Sequence, residues 1–238
     1  FIWPAGIAVS SDGNVYCSDE NLNTVSWFGP DGPFCVEDSG RANMEPFAER
    51  LGHWGETGSQ EGEIDGPSGI AFDSNDDLYV VDSRNSRVQK FTRDGRFILS
   101  WGAQGSGPGE FQRPWGVTVD RQGDVYVADW GNDRVQKFSS NGDYLLSFPS
   151  TESSGAALDH PADVAIDSEG DVYVTDWGNM RVQIYDPEGD VLTALYGDST
   201  VFSQWGRRRV EADGPVSQAY RRIEDLTPLG RFRRPVGI

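Results

Sequence analysis

The sequence predicts an all-β fold made of repeated four-stranded sheets, and three observations predict it. The first is a phrase written four times: "DVYVADWGNDRVQKF" at Asp124–Phe138, "DVYVTDWGNMRVQIY" at Asp171–Tyr185, and the looser "DLYVVDSRNSRVQKF" at Asp77–Phe91 and "NVYCSDENLNTVSWF" at Asn14–Phe28. The second is its spacing. Aligned on proline, the copies open at Pro4, Pro67, Pro114 and Pro161, and a fifth opens at Pro235 and stops at Ile238. Self-similarity at 40–50 residues marks propellers and related arrays. The third is composition. Apolar residues make up 37% of the 238, with 29 Gly and 13 Pro, which suits many turns and a thin, distributed core rather than a thick helical one.

Each element of a unit follows in order, read on the third copy. "GVTVD" is a short apolar first strand. "RQGD" is a hairpin turn, because Gly and Asp tolerate the positive φ that such turns need. "VYVAD" alternates and is β-branched or aromatic, so it is the second strand. "WGND" turns again, "RVQKF" is the third strand, "SSNGD" turns, and "YLLSF" is the fourth. Four antiparallel strands joined by short turns make one blade. A lone blade cannot bury both faces, whereas blades stacked around an axis can.

The chain therefore reads as a single propeller segment over residues 1–238, with two interruptions. Residues 33–50 expand the first blade. Residues 198–234 follow the fourth, and "DGPVSQAYRRIEDL" within them predicts a helix over 215–226 from its Asp–Gly–Pro start and its apolar Val216, Ala219, Ile223 and Leu226. Both insertions are expected on one face of the array. Because the chain opens and closes inside repeats, it reads as part of a longer polypeptide, and an incomplete ring would offer open blade edges for self-association.

The pattern P-x-G-[IV]-x-[VF]-D…[DN]-x-[VL]-Y-[VC]…D-x-x-N-x-R-[VI] resembles the NHL repeat. It covers Pro4–Gly197 and resumes at Pro235. The first copy departs from it, with Leu22 and Thr24 where later copies carry Asn85/Arg87, Asn132/Arg134 and Asn179/Arg181. The resemblance implies a β-propeller, usually of six blades, of which four are present here.

Charge narrows the function. The net charge is −18, with two lysines and eighteen arginines. Such a surface repels phosphate backbones and argues against nucleic acid as a partner. The RNA-binding branch of NHL propellers is disfavoured on the same ground, although Arg207, Arg208, Arg209, Arg221, Arg222, Arg231, Arg233 and Arg234 cluster late in the chain. No apolar run approaches the length of a membrane-spanning helix. Cys17 falls where other copies carry Val80, Val127 and Val174, so a buried thiol is expected. With Cys35 it is one of two cysteines, too few to fix a redox compartment.

A residue repeated in every blade serves architecture. Asp19, Asp82, Asp129 and Asp176, with Arg87, Arg134 and Arg181, are expected to tie the intervening turns by charge-assisted hydrogen bonds. Function is sought where the repeat breaks, on the face carrying the loops that enter the innermost strands. Trp115 follows Pro114 where other copies carry Ala5, Ser68, Ala162 and Val236. Asp163 stands where the others have Gly6, Gly69, Gly116 and Gly237. Trp130 and Trp177 replace Glu20 and Ser83, and His160 precedes Pro161. Trp115, Trp130, Trp177, His160 and Asp163 are therefore the candidate ligand-binding residues at the channel mouth.

These positions also bear on enzymatic chemistry. In the peptidyl-α-hydroxyglycine amidating lyases, which share the resemblance, histidines of P-H-G and P-H-D stretches bind zinc and the Asp of P-H-D binds calcium. No position after the repeat prolines is His here, so the zinc set is absent from these blades. Asp163 alone matches the calcium ligand, which makes it the candidate for Ca2+ together with inward main-chain carbonyls. The sequence carries no Gly-rich phosphate loop, Cys/His metal spacing or nucleophile elbow. The reading is a binding or scaffold module for a protein or small ligand. The alternative is a metal-dependent lyase or lactonase-like propeller whose other ligands lie in blades not present.

Overall fold

The computed structural model describes residues 1–29, 50–149 and 157–196. They form four antiparallel sheets of four strands, each strand pairing with its neighbour in sequence. The first blade is β1 (Pro4–Val9), β2 (Val15–Asp19), β3 (Thr24–Phe28) and β4 (Arg50–Trp54). The second is β5 (Pro67–Phe72), β6 (Asp77–Asp82), β7 (Arg87–Thr92) and β8 (Phe97–Trp101). The third is β9 (Pro114–Val119), β10 (Val125–Asp129), β11 (Arg134–Phe138) and β12 (Tyr144–Phe148), and the fourth is β13 (Pro161–Ile166), β14 (Val172–Asp176), β15 (Arg181–Tyr185) and β16 (Val191–Tyr196). Strands two to four of the third blade coincide with the sequence expectation, and Gly123 and Gly142 carry their hairpins at φ +90° and +85°.

The core lies between blades. Tyr16 and Val25 of the first blade meet Ile70, Leu78, Val80 and Phe91 of the second. Tyr79, Val81 and Val88 meet Val117, Val125, Val127 and Phe138. Tyr126, Ala128, Val135 and Phe148 meet Val164, Val172, Val174 and Tyr185. Each side chain so buried contributes about 1.5–3 kcal/mol, which is why stacking rather than any single sheet holds the array.

Register builds the tie that sequence repetition implied. Asp82, Asp129 and Asp176 pair directly with Arg87, Arg134 and Arg181 across the β2–β3 type hairpins. The three carboxylates have no solvent exposure. Asp82 accepts from Arg87 Nε at 2.7 Å, from Asn85 and from the Asp65 amide. Asp129 does the same with Arg134, Asn132 and the Gln112 amide. The Arg134 guanidinium goes on to donate to the Gly107 and Glu110 carbonyls, and Gln136 donates to Glu110 O and to Asp129. Strand two, strand three and the loop arriving from the preceding blade are thus fastened at one carboxylate. In the first blade, where Leu22 and Thr24 replace Asn and Arg, Asp19 accepts from the main-chain amides of Ile2, Trp3, Asn21 and Leu22 instead.

One expectation changes. Cys17 is half-buried rather than buried, because its equivalents Val80 and Val174 are covered by the preceding blade and no described blade precedes the first. Residues 30–49 connect β3 to β4, and in an antiparallel blade that connection leaves from the end opposite the β2–β3 turn. The first insertion at 33–50 itself lies, apart from Arg50, outside the described residues. The expected helix at 215–226, the late insertion at 198–234, Cys35 and the fifth copy at Pro235 lie outside the described residues. Among the described residues no helix is long and apolar enough to cross a membrane.

Candidate functional site

The first strands of the blades run side by side around a cavity of about 580 Å³. Its walls are Gly6 and Ile7, Gly69 and Ile70, Trp115–Thr118, and Ala162–Ala165. Close approach explains the repeated glycine. A Cβ on Gly69 would stand 2.6 Å from Trp115 O and 2.8 Å from Val117 N, and one on Gly116 would stand 2.7 Å from Asp163 Cα. Each inner-strand glycine thus lies against the main chain of the next inner strand. Asp163 belongs to the last described blade, where no described strand follows to crowd its side chain.

Asp163 is half-buried and is the one acidic side chain lining this cavity among the described residues. Its Oδ1 accepts from the Val164 amide at 3.0 Å, and its own amide donates to Thr175 Oγ1 at 2.7 Å. The described residues supply no second carboxylate or imidazole close enough to form a three-ligand group with it. Among the described residues that line the cavity, a calcium ion at this place would find one carboxylate, already engaged by an amide, and main-chain carbonyls.

The aromatic exceptions come together at the rim. Trp115 projects from β9, 39% exposed, and its ring lies 6.1 Å from that of Trp130. Trp130 opens the single 3-10 turn at Trp130–Asn132 that joins β10 to β11. It lies 6.3 Å from Trp177 and 4.1 Å from the His160 ring, which meets it edge-on, and His160 lies 6.2 Å from Trp177. The four residues form one connected cluster, with Trp115 joining it to the cavity. Asp163 lies on the cavity wall beyond Trp115. At the corresponding turn between the first and second blades the chemistry differs: Arg84 pairs with Glu20 at 3.0 Å and Asp65 at 3.1 Å. The rim therefore has an ion-paired sector and an aromatic one.

Backbone geometry sets the aromatic sector. In the second, third and fourth blades the residue before the inner-strand proline adopts left-handed φ: Gly66 at +64°, Arg113 at +54° and His160 at +55°. The residue ending each second turn does too, at Asn23, Ser86, Asp133 and Met180. These two positions latch neighbouring blades. Asn23 Oδ1 accepts the Gly66 amide at 2.7 Å, and Asp133 Oδ1 accepts the His160 amide at 2.8 Å. His160 Nδ1 also bonds to Asp159 Oδ1. Asp133, Asp159 and His160 bring their ligand atoms within 4.8 Å of one another, a grouping that could hold a metal ion. The latch, which recurs without a carboxylate at Asn23, accounts for the placement of Asp133.

Sequence reasoning missed three features of this region. Gln89, Gln136 and Gln183 are buried polar residues of the third strands, and their recurrence in "RVQ" was the available signal. Asp133 and Asp159 gave no signal, since their positions vary between copies. Arg113, whose guanidinium stands 6.0 Å over the Trp130 ring, was also hidden, because the position before proline holds Trp3, Gly66, Arg113 and His160 in turn.

Comparison with known proteins places these features. The NHL repeat model matches residues 65–91, 111–138 and 158–185, the hearts of the second, third and fourth blades. A stretch of 44 residues, 18% of the chain, is 43% identical to Protein brain tumor of Drosophila melanogaster and likewise to B-box type zinc finger protein ncl-1 of Caenorhabditis elegans. The chain spans 4% and 5% of those relatives' lengths. Virginiamycin B lyase of Staphylococcus aureus superposes with a TM-score of 0.56 at 15% identity, over 80% of this chain and 55% of that one. A chain of a nidogen/laminin complex superposes with a TM-score of 0.55 at 19% identity, over 78% and 61%. At these identities the two structures carry the fold alone. The repeats and the four stacked sheets agree: the described residues form β-propeller blades, three of which carry NHL repeats.

Proposed function

We propose that the chain is a binding module: the blades are scaffold, and the cavity mouth beside Trp115, Trp130, Trp177 and His160 receives a protein or small ligand. The observation that carries this is where the repeat is broken. Asp82, Asp129 and Asp176, with their arginines, fasten one blade after another in the same way. The tryptophans recur at no such structural tie, yet they gather with His160 in one sector of the rim, next to a cavity of about 580 Å³. Trp115 is exposed and the other three are half-buried, and aromatic side chains gathered beside a concavity are common anchors of recognition.

The test is a ligand screen on the whole chain, read by tryptophan fluorescence and calorimetry, with Trp115→Ala and Trp177→Ala beside the wild type. A ligand seated at the mouth loses roughly tenfold or more in affinity in at least one variant, with thermal stability kept. Ligands that bind both variants as well as the wild type refute the placement. Calcium belongs in the same series with Asp163→Ala. Loss only in that variant supports a hard-cation site at Asp163, and equal binding, or none, removes it.

A further inference from the structure

Trp130 has two neighbours that occupy the same repeat position in successive blades. Arg113 precedes Pro114 and stands over the ring at 6.0 Å. His160 precedes Pro161 and meets the ring edge-on at 4.1 Å. Both sit at left-handed φ, and both side chains reach the Trp130 ring. The second-blade equivalent is Gly66, which offers no side chain. The guanidinium therefore sits in the sector that also holds the indoles.

Arg113 is exposed, and a long side chain held over an aromatic surface gives up rotamer freedom to stay there. A cation over an indole in an open site is attracted only modestly, so such a contact exchanges readily for a similar one. Negative charge stands close by: Asp133 is exposed, and Asp159 is half-buried against His160. The chain as a whole carries a net charge of −18.

We propose that the Trp130 ring is a guanidinium seat, held in the free chain by Arg113 and taken by an arginine side chain of a protein partner. This rests on the reading of the mouth as a binding site and names its ligand chemistry. Arginine is favoured over lysine because a planar guanidinium stacks on an indole as well as pairing with carboxylates. A polypeptide is favoured over a free cation because the seat is open. One stacked group there gains little alone, whereas a chain can continue past Trp115 into the cavity of about 580 Å³.

The experiment uses the whole chain and three probes: an acetyl-Gly-Arg-Gly-amide peptide, the same peptide with neutral, nearly isosteric citrulline, and free argininamide. Each is titrated into wild type, Arg113→Ala, Asp133→Asn and Trp115→Ala. Alanine keeps the Cβ of Arg113, so the left-handed backbone is no more strained than before. The arginine peptide binds, and the citrulline peptide binds roughly tenfold more weakly. Removing the internal occupant tightens the arginine peptide by roughly two- to fivefold in Arg113→Ala, while Asp133→Asn weakens it. Unchanged or weaker binding in Arg113→Ala, or equal binding of the citrulline peptide, overturns the seat. If both peptides then lose affinity in Trp115→Ala, the mouth still binds and only the guanidinium chemistry is wrong. Argininamide binding as tightly as the peptide overturns the assignment to a protein partner. No arginine-peptide binding to any form overturns the seat and leaves the screen of other ligands to judge the mouth.

Discussion

Lys90 and Lys137 are the only lysines in the chain, and both lie inside blades at the same repeat position. Lys90 pairs with Asp73 at 2.9 Å and Asp77 at 3.1 Å and lies 4.9 Å over the Tyr79 ring. Lys137 repeats this with Asp124, Asp120 and Tyr126. In the first blade Trp27 takes the place and stacks on Tyr16. In the fourth, Tyr173 donates directly to Asp167. The arrangement sets a pH dependence. Burial raises the Asp73 carboxyl, but the Lys90 ammonium and the amides of Asp77 and Asn75 outweigh it, and the pKa falls below the ordinary 3.8. A carboxyl lowered by folding stabilises fully above its unfolded value, and that stability is lost as pH falls through the folded value. Asp82 and Asp129 have the opposite sign, since burial pushes them up against their amide and arginine partners. Asp73→Asn should therefore be less stable than wild type near neutral pH, and the gap should close as pH drops below about 4. Urea titrations at a series of pH values measure this. A gap that stays constant down to acid unfolding would show that Asp73 acts only as a packed polar group.

At the scale of the strand, the spacing of inner strands depends on glycine for a steric reason. Gly69 shows it most cleanly, because all three atoms nearest to an added Cβ are main-chain atoms, Trp115 O, Val117 N and Gly116 Cα, at 2.6–2.9 Å. Main chain cannot rotate aside as a side chain can, so Gly69→Ala forces two blades apart. The expected cost is about 1–3 kcal/mol, read as a lowered denaturation midpoint with the blades still folded. A neutral outcome would mean that the inner strands slide without loss. The same contact shows what the sequence made legible. Strand order and turns could be read because every copy repeats them, and the Asp–Arg tie because three copies do; repetition filters out chance. Trp115, Trp130, Trp177 and Asp163 could be read as departures from that norm. Arg113 could not, because the position before the proline has no norm to depart from. Nor could the latch between Asp133 and His160, since it joins residues of different blades and only stacking brings them together.

At the scale of the whole array, each blade uses one face to cover the blade before it and the other to be covered by the blade after. The fourth-strand aromatics show the pattern. Trp54 meets Phe91 at 4.5 Å, Trp101 meets Phe138 at 5.7 Å, and Phe148 meets Tyr185 at 5.9 Å, always reaching into the next blade. The corresponding Leu195 of the fourth blade, paired with Val182 as Phe148 is with Val135, is 48% exposed. On the first blade, Ile7 and Val9 are 70% and 60% exposed, whereas Ile70, Val117 and Val164 at the place of Ile7 are buried. The two outer faces are therefore complementary by construction, one shaped to be covered and the other to cover. A contact between unlike faces of identical copies does not close on itself after one step, so it builds chains or rings rather than a simple two-fold dimer. The 238-residue chain should accordingly self-associate in a concentration-dependent way through the faces that carry Ile7 and Leu195. Sedimentation velocity across a dilution series would show the mean mass rising with concentration. Ile7→Glu places a charge in that contact without touching the interfaces between the described blades, so it should return the chain to the monomer while leaving its melting temperature near that of the wild type. A wild type that stays monomeric throughout the series, or an Ile7→Glu variant that associates equally, would show that these faces are not the surfaces through which copies meet.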